Sequence, residues 1–131
     1  MSRSGAWFDV CASADLLDGG DGVRFECAGA DGLPRSAFVV RQDGRVRAFV
    51  NRCPHRAAEL DWLPGRFFDD AGLYLVCSMH GALFEADTGD CVAGPCLGDR
   101  LEPIACEERE GRVRVRCAPV SLPNRFPGSA P

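Results

Sequence analysis

Histidine is nearly missing from this chain: His55 and His80 are two residues out of 131. Long apolar runs are missing as well, and none approaches the roughly eighteen residues that would cross a bilayer as a helix, so no membrane role is expected. Positive charge is not in excess. Fifteen Lys and Arg stand against 19 Asp and Glu, a formal charge of −4, and nucleic-acid binding normally needs a basic patch, so no nucleic-acid partner is expected. The opening Met1-Ser2-Arg3-Ser4-Gly5-Ala6-Trp7-Phe8-Asp9 holds no apolar signal core and no twin arginine. A cytoplasmic location is therefore expected, where thiols stay reduced and the eight cysteines are not read as a disulfide scaffold. No internal repeat or long helical period is visible. The length suits one domain with a core of its own, and leaves no room for a second catalytic domain.

What is present concentrates in two short stretches. Asn51-Arg52-Cys53-Pro54-His55-Arg56 is answered by Val76-Cys77-Ser78-Met79-His80-Gly81. Each carries one thiol and one imidazole, so the two histidines of the chain follow a cysteine with only one and two residues between. Two Cys and two His can hold a metal. A single tetrahedral zinc is one solution, and Cys77 with His80 has the spacing for it. Cys53 and His55, separated only by Pro54, make a tight bite on one ion but a comfortable span for two adjacent metals. A two-iron cluster with thiolates on one iron and imidazoles on the other fits both loops.

At these residues the chain resembles the Rieske [2Fe-2S] family, whose pattern is C-x-H, a spacer, then C-x-x-H-G. The resemblance runs from about Ala6 to Cys117 and includes Phe84, Asp87-Thr88-Gly89 and Gly94-Pro95. It implies one [2Fe-2S] cluster per chain, with Cys53 and Cys77 on the inner iron and His55 and His80 on the outer one. The imidazole edge would be the electron exit, and Gly94-Pro95 would be the family's proline loop, shielding the cluster from water. By position, the disulfide cysteines of the high-potential branch fall on Ala58 and Met79, and its hydroxyl donors fall on Ala82 and Phe84. With those donors absent, the expected potential lies near the low end of the Rieske range, about −150 mV.

The same inventory bears on function. A Rieske oxygenase subunit also carries a mononuclear iron on two further histidines and a carboxylate, and here both histidines are already assigned. The expected function is a soluble electron carrier between a reductase and a terminal oxygenase or similar enzyme, itself not an enzyme. Two other readings stand beside it: a fixed Rieske-like subunit of a larger oxidoreductase, and a metal-stabilised redox-sensing or binding module.

Hydrophobic alternation supplies the fold class. Trp7 to Cys11, Val23 to Cys27, Ala37 to Arg41, Arg45 to Val50, Tyr74 to Val76, Leu83 to Ala86, Leu101 to Cys106 and Arg112 to Cys117 read as strands. Ser13 to Leu17 reads as a short helical turn, and Asp43-Gly44 as a hairpin turn. The expected class is all-β: Rieske-type stacked antiparallel sheets in a single domain over 1–118, with a cluster-binding part inserted at about 51–98. A Pro-rich tail follows over 119–131.

Several residues carry weaker expectations. Val113, Val115 and Cys117 should face inward, with Arg112, Arg114 and Arg116 towards solvent. Cys11, Cys27, Cys106 and Cys117 are expected as small buried apolar groups. Cys91 and Cys96 flank the proline loop, as packing residues or as a redox-active pair. The spacer 56–76 is longer than in most Rieske ferredoxins, and Pro64 to Gly72 is expected to bulge as a surface excursion. Within it, Trp62, Phe67 and Phe68 either pack over the ligand loops or form an exposed docking patch. Arg56 should pair at the loop base.

Overall fold

The computed structural model describes residues 7–28, 33–54, 58–61, 63–77 and 81–117. Nine strands are formed among them: β1 (Trp7–Ala12), β2 (Val23–Ala28), β3 (Pro34–Gln42), β4 (Arg45–Val50), β5 (Tyr74–Val76), β6 (Leu83–Glu85), β7 (Cys91–Ala93), β8 (Pro103–Arg109) and β9 (Arg112–Arg116). The one helical element among the described residues is a 3-10 turn at Ser13–Asp15. A six-stranded antiparallel sheet runs in the order β1-β9-β8-β4-β3-β2, and a three-stranded sheet runs β5-β6-β7. The smaller sheet and its loops lie in sequence between β4 and β8, so the all-β, stacked-sheet expectation holds.

The β3–β4 hairpin is the wall on which both halves are built. Its turn, Asp43-Gly44, has positive φ at both residues, 53° and 77°, the left-handed pair that matches the twist of the flanking strands. Ala37, Phe38, Val39 and Val40 are all buried, because β3 is covered on both faces. Val39, with Val46 and Ala48 of β4, packs against Val113 and Val115 of β9, Cys11 and Leu16. Phe38, Val40 and Phe49 pack the other way, into a core shared with Leu60, Phe67, Leu75, Phe84 and Leu101 of the smaller sheet and its loops. Alternation along two adjacent strands thus divides the interior into two cores that meet at one hairpin.

Several expectations need correction. The spacer is not merely a surface bulge: Phe67 is fully buried, and its ring stacks on Phe38 with centroids 3.9 Å apart and planes 10° apart. The Gly22 N–H donates to the Gly65 carbonyl at 2.8 Å, and Phe68 bridges to Leu75. Burial of one aromatic side chain outweighs the ordering of a short loop, while Leu63, Pro64, Arg66 and the tip around Asp70 and Leu73 stay exposed. Trp62 and Arg56 lie outside the described residues, as does the segment 118–131.

Cys27 and Cys117 are also not simple apolar fillers. They form a disulfide across a sequence separation of 90, joining the β2 edge of the large sheet to the residue that follows β9. The other two placements hold more closely. Cys11 is buried, and the half-buried Cys106 thiol donates to the Val46 carbonyl at 3.4 Å. Val113 and Val115 face inward as expected. The arginine stripe engages β1: Arg112 Nε donates to Asp9 Oδ1 at 3.2 Å, and the Arg116 guanidinium lies 5.8 Å from the Trp7 ring centroid.

Candidate functional site

Each cysteine of the two motifs leaves the end of a strand and enters a loop closed by its own backbone. After β4, the Cys53 N–H donates to the Ala58 carbonyl at 2.8 Å; after β5, the Cys77 N–H donates to the Ala82 carbonyl at 2.9 Å. Both bonds reach five residues forward, so the two loops are closed in the same way. The second is tightened by the Gly81 N–H, which donates to the Cys77 carbonyl at 2.7 Å. His55 and His80 fall inside these loops but outside the described residues.

A polar anchor holds the first loop. Asn51 and Asp61 are the two buried polar residues among the described ones, at 3% and 6% exposure. Asn51 Nδ2 donates to Asp61 Oδ1 at 2.9 Å, while Asn51 Oδ1 accepts the Leu60 N–H at 2.8 Å. Asp61 Oδ2 accepts the Gly65 N–H at 2.9 Å and lies 3.7 Å from Arg24 Nη1. Arg24 Nη2 also pairs with Glu59 Oε2 at 2.8 Å. The anchor runs from β2 to both ends of the loop, and the bonds to Asn51 and Asp61 answer its two buried polar side chains.

Cys53 and Cys77 share one apolar core with Leu60, Ala82, Phe84 and Leu101, and both are almost fully buried. Neither is in a disulfide. The third segment closes over them: β7 leads through Gly94 and Pro95 to Cys96, which belongs to the same core. A Cβ at Gly94 would come within 2.8 Å of Ala82 Cα, so the proline loop lies directly on the residue that closes the second loop, and only glycine permits that approach. Cys96 Sγ is 3.2 Å from Cys91 Sγ, and the Cys91 thiol donates to the Ala93 carbonyl at 3.3 Å. Burial first, and then the hydrogen bond with Cys91, pushes the Cys96 thiol up to about 12.

This donor set suits a metal centre with a positively charged core. Thiolates buried among Leu60, Phe84 and Leu101 would be costly charges without a cation beside them, and a ferric pair supplies it. Among the described residues, no three or more His, Cys, Asp or Glu side chains converge on one metal position, which separates Cys91 and Cys96 from a four-thiolate site with Cys53 and Cys77. The sequence reading missed Asp61. Asp61 carries no motif, and its role depends on Asn51 meeting it across the loop.

The Rieske [2Fe-2S] domain model matches residues 6–118. The chain belongs to this family. The cofactor of the Rieske domain is a [2Fe-2S] cluster, and the buried thiols of Cys53 and Cys77 fit it. The oxidoreductase NdmD of Pseudomonas putida is 30% identical over 111 residues, covering 84% of this chain and 17% of that protein. The oxygenase subunit of carnitine monooxygenase from Escherichia coli is 29% identical over 134 residues, 94% of this chain and 33% of the relative. The chain therefore spans a third or less of these two relatives. It covers 84% of the ferredoxin component of an alkene monooxygenase system from Xanthobacter autotrophicus, at 29% identity and 87% of its own length. Among solved structures, the ferredoxin of carbazole 1,9a-dioxygenase from Nocardioides aromaticivorans superimposes with a TM-score of 0.68 at 25% identity, over 88% of this chain and 99% of that one. No helix among the described residues is long and apolar enough to cross a membrane.

Proposed function

We propose that this Rieske domain carries single electrons, receiving them from a reductase and passing them to a terminal oxygenase or similar oxidoreductase, and that it is not itself an enzyme. The observation that carries the reading is the pair of matched loops, each closing on a buried cysteine within one core. Cys53 and Cys77 would hold the inner iron of one cluster per chain, with His55 and His80 on the outer iron. When bound, the cluster supplies a one-electron couple, raised above that of an all-thiolate ferredoxin by its neutral imidazole ligands.

The chain's own residues have three tasks in this reading. The Asn51–Asp61 anchor fixes the first loop, the Ala58 and Ala82 carbonyls set the loop closure, and the Gly94-Pro95-Cys96 segment keeps water away from the cysteine side. The near full-length match to a monooxygenase ferredoxin component supports a separate carrier with oxygenase and reductase partners. The domain is taken as 1–118, with 51–98 as the cluster-binding part and 119–131 as a tail. A cytoplasmic location, without nucleic-acid or membrane partners, belongs to the same reading.

A second reading is a fixed relay within a larger oxidoreductase, favoured by relatives in which the matched region is a third or less of the chain. Voltammetry and oxygen uptake of the purified holoprotein test the proposal. A reversible one-electron wave from freely diffusing protein, with no oxygen consumption coupled to an organic substrate, supports the carrier. Absence of reversible reduction, or substrate-coupled oxygen uptake by this chain alone, contradicts it.

A further inference from the structure

Of the eight cysteines, Cys27 and Cys117 are joined and the others are free thiols, and the joined pair faces a small surface cavity. Cys27, Cys117 and Arg35 line it together with Val50, Glu102 and Ile104, around a volume of about 280 Å³. Cys27 on β2 stands directly opposite Arg35 on β3, and opposite residues of an antiparallel pair share a face with Cβ atoms about 5 Å apart. The arginine therefore starts beside the bridge. Glu102 holds it loosely, with Oε1 at 3.8 Å from Arg35 Nη1. Cys117 is half-buried, whereas Cys27 is buried. A cation in this place acts on both ends of a thiol–disulfide exchange, because it draws in an anionic thiolate and steadies the thiolate that leaves.

We propose that this cavity is an exchange site for a low-molecular-weight thiol carrying a carboxylate, with Arg35 receiving the carboxylate and Cys117 receiving the sulfur. The small thiol loses its proton to solvent, and its thiolate bonds to Cys117 Sγ. The Cys27–Cys117 bond breaks, its electron pair stays on Cys27 across from the arginine, and Cys27 takes up a proton. Cys117 now holds the small thiol as a mixed disulfide. A second thiolate attacks the small-thiol sulfur of that disulfide, Cys117 leaves and is protonated, and the symmetrical disulfide of the small thiol departs. The protein bridge has gained two electrons and the two small thiols have lost two. Excess symmetrical disulfide drives the same steps in reverse, so no further oxidant is needed. The bridge spans a sequence separation of 90, so its state sets how firmly β2 is tied to the end of β9. Neither of its cysteines belongs to the core that holds Cys53 and Cys77, and the exchange does not depend on the cluster assignment.

The test is the rate of bridge opening in the folded holoprotein, with reduced glutathione as the probe and 2-mercaptoethanol as an uncharged control at equal thiolate concentration. Samples are quenched in acid, alkylated and mapped by mass spectrometry. The wild type should open without denaturant and pass through a glutathione adduct on Cys117. Arg35→Gln should slow opening by glutathione about fivefold, the effect of removing one solvated charge a few ångströms away, and should slow 2-mercaptoethanol less. Glu102→Gln should speed glutathione, because the arginine is then unopposed. Both substitutions leave the bridge in place, so neither rate is confounded by its loss. An unchanged glutathione rate in Arg35→Gln overturns the proposal. So does an adduct on Cys27, equal slowing with both thiols, or a bridge that opens only in denaturant. Each of these results leaves the electron-transfer reading as it is, since the EPR spectrum of the reduced cluster is read separately.

Discussion

Asn51 and Asp61 meet side chain to side chain at 2.9 Å beneath the first ligand loop, and both are buried. Removing either leaves hydrogen-bonding groups stranded away from water. Asp61→Ala strands the Gly65 N–H and one of the two Asn51 Nδ2 hydrogens, the other reaching Ser36 Oγ at 3.3 Å, and Asn51→Ala strands the Leu60 N–H and an Asp61 oxygen. Each should cost about 1–3 kcal/mol in unfolding free energy and speed the chelator-driven loss of iron, measured by denaturant titration and by decay of visible absorbance. Unchanged iron release would mean that the anchor does not govern the loop.

Phe67 ties the long spacer to the core through its stacked contact with Phe38. Phe67→Ala should lower stability by about 3–5 kcal/mol, the usual cost of deleting a buried aromatic ring. A substitution at the exposed Leu73 should stay within about 0.5 kcal/mol. Thermal unfolding of the two variants distinguishes a packed spacer from a loose one.

Neither cysteine of the Cys27–Cys117 bridge belongs to the core that holds Cys53 and Cys77, and Cys117 packs against the other core. The double change to serine should destabilise the fold by about 2–4 kcal/mol while leaving the EPR spectrum of the reduced cluster as it was. Mass spectrometry after alkylation under denaturing conditions reads the bridge directly, as two cysteines protected until a reductant is added.

The potential should respond to new hydrogen-bond donors beside the cluster. The wild type is expected near about −150 mV, and Ala82→Ser or Phe84→Tyr should raise it. Phe84 is fully buried, so a tyrosine hydroxyl there must find an acceptor or destabilise the core. A raised potential with preserved stability would place the hydroxyl on the cluster, whereas lost stability with an unmoved potential would place it elsewhere.

Acid stability has a definite sign at one surface pair. The Arg41 guanidinium donates to Glu108 through Nη1 at 2.9 Å and Nη2 at 2.7 Å, and it holds the Glu108 carboxyl down at about 2 against an ordinary 4.5. A lowered folded-state value means stability that is present above 4.5 and is lost as the pH falls towards 2. The pair is partly solvated, so the effect is modest. Glu108→Gln should lower stability modestly at neutral pH, leave it nearly unchanged near pH 2, and so flatten the acid limb of the stability curve in that window, as read by unfolding midpoints across pH.

The two motifs were legible in the sequence because the ligands are local: Cys53 with His55 and Cys77 with His80 need only short spacings. Strands with strict alternation, such as Arg112–Arg116, and the Asp43-Gly44 turn were legible for the same reason. β7 was not, since Cys91–Ala93 is too short to show a period and is followed by Gly94-Pro95. Nor was the Cys27–Cys117 bond, whose partners are brought together only by sheet order. The place of Phe67 depended on Phe38, a residue on β3 that no local pattern connects to it.

The central claim is that two cysteines and two histidines hold a two-iron cluster on matched loops. Its most direct test is iron and acid-labile sulfide analysis of anaerobically purified protein, with the EPR spectrum recorded after chemical reduction. The account predicts iron and sulfide near two of each per chain and the low average g-value of a histidine-ligated cluster. Zinc in place of iron, or the spectrum of an all-thiolate cluster, would contradict it.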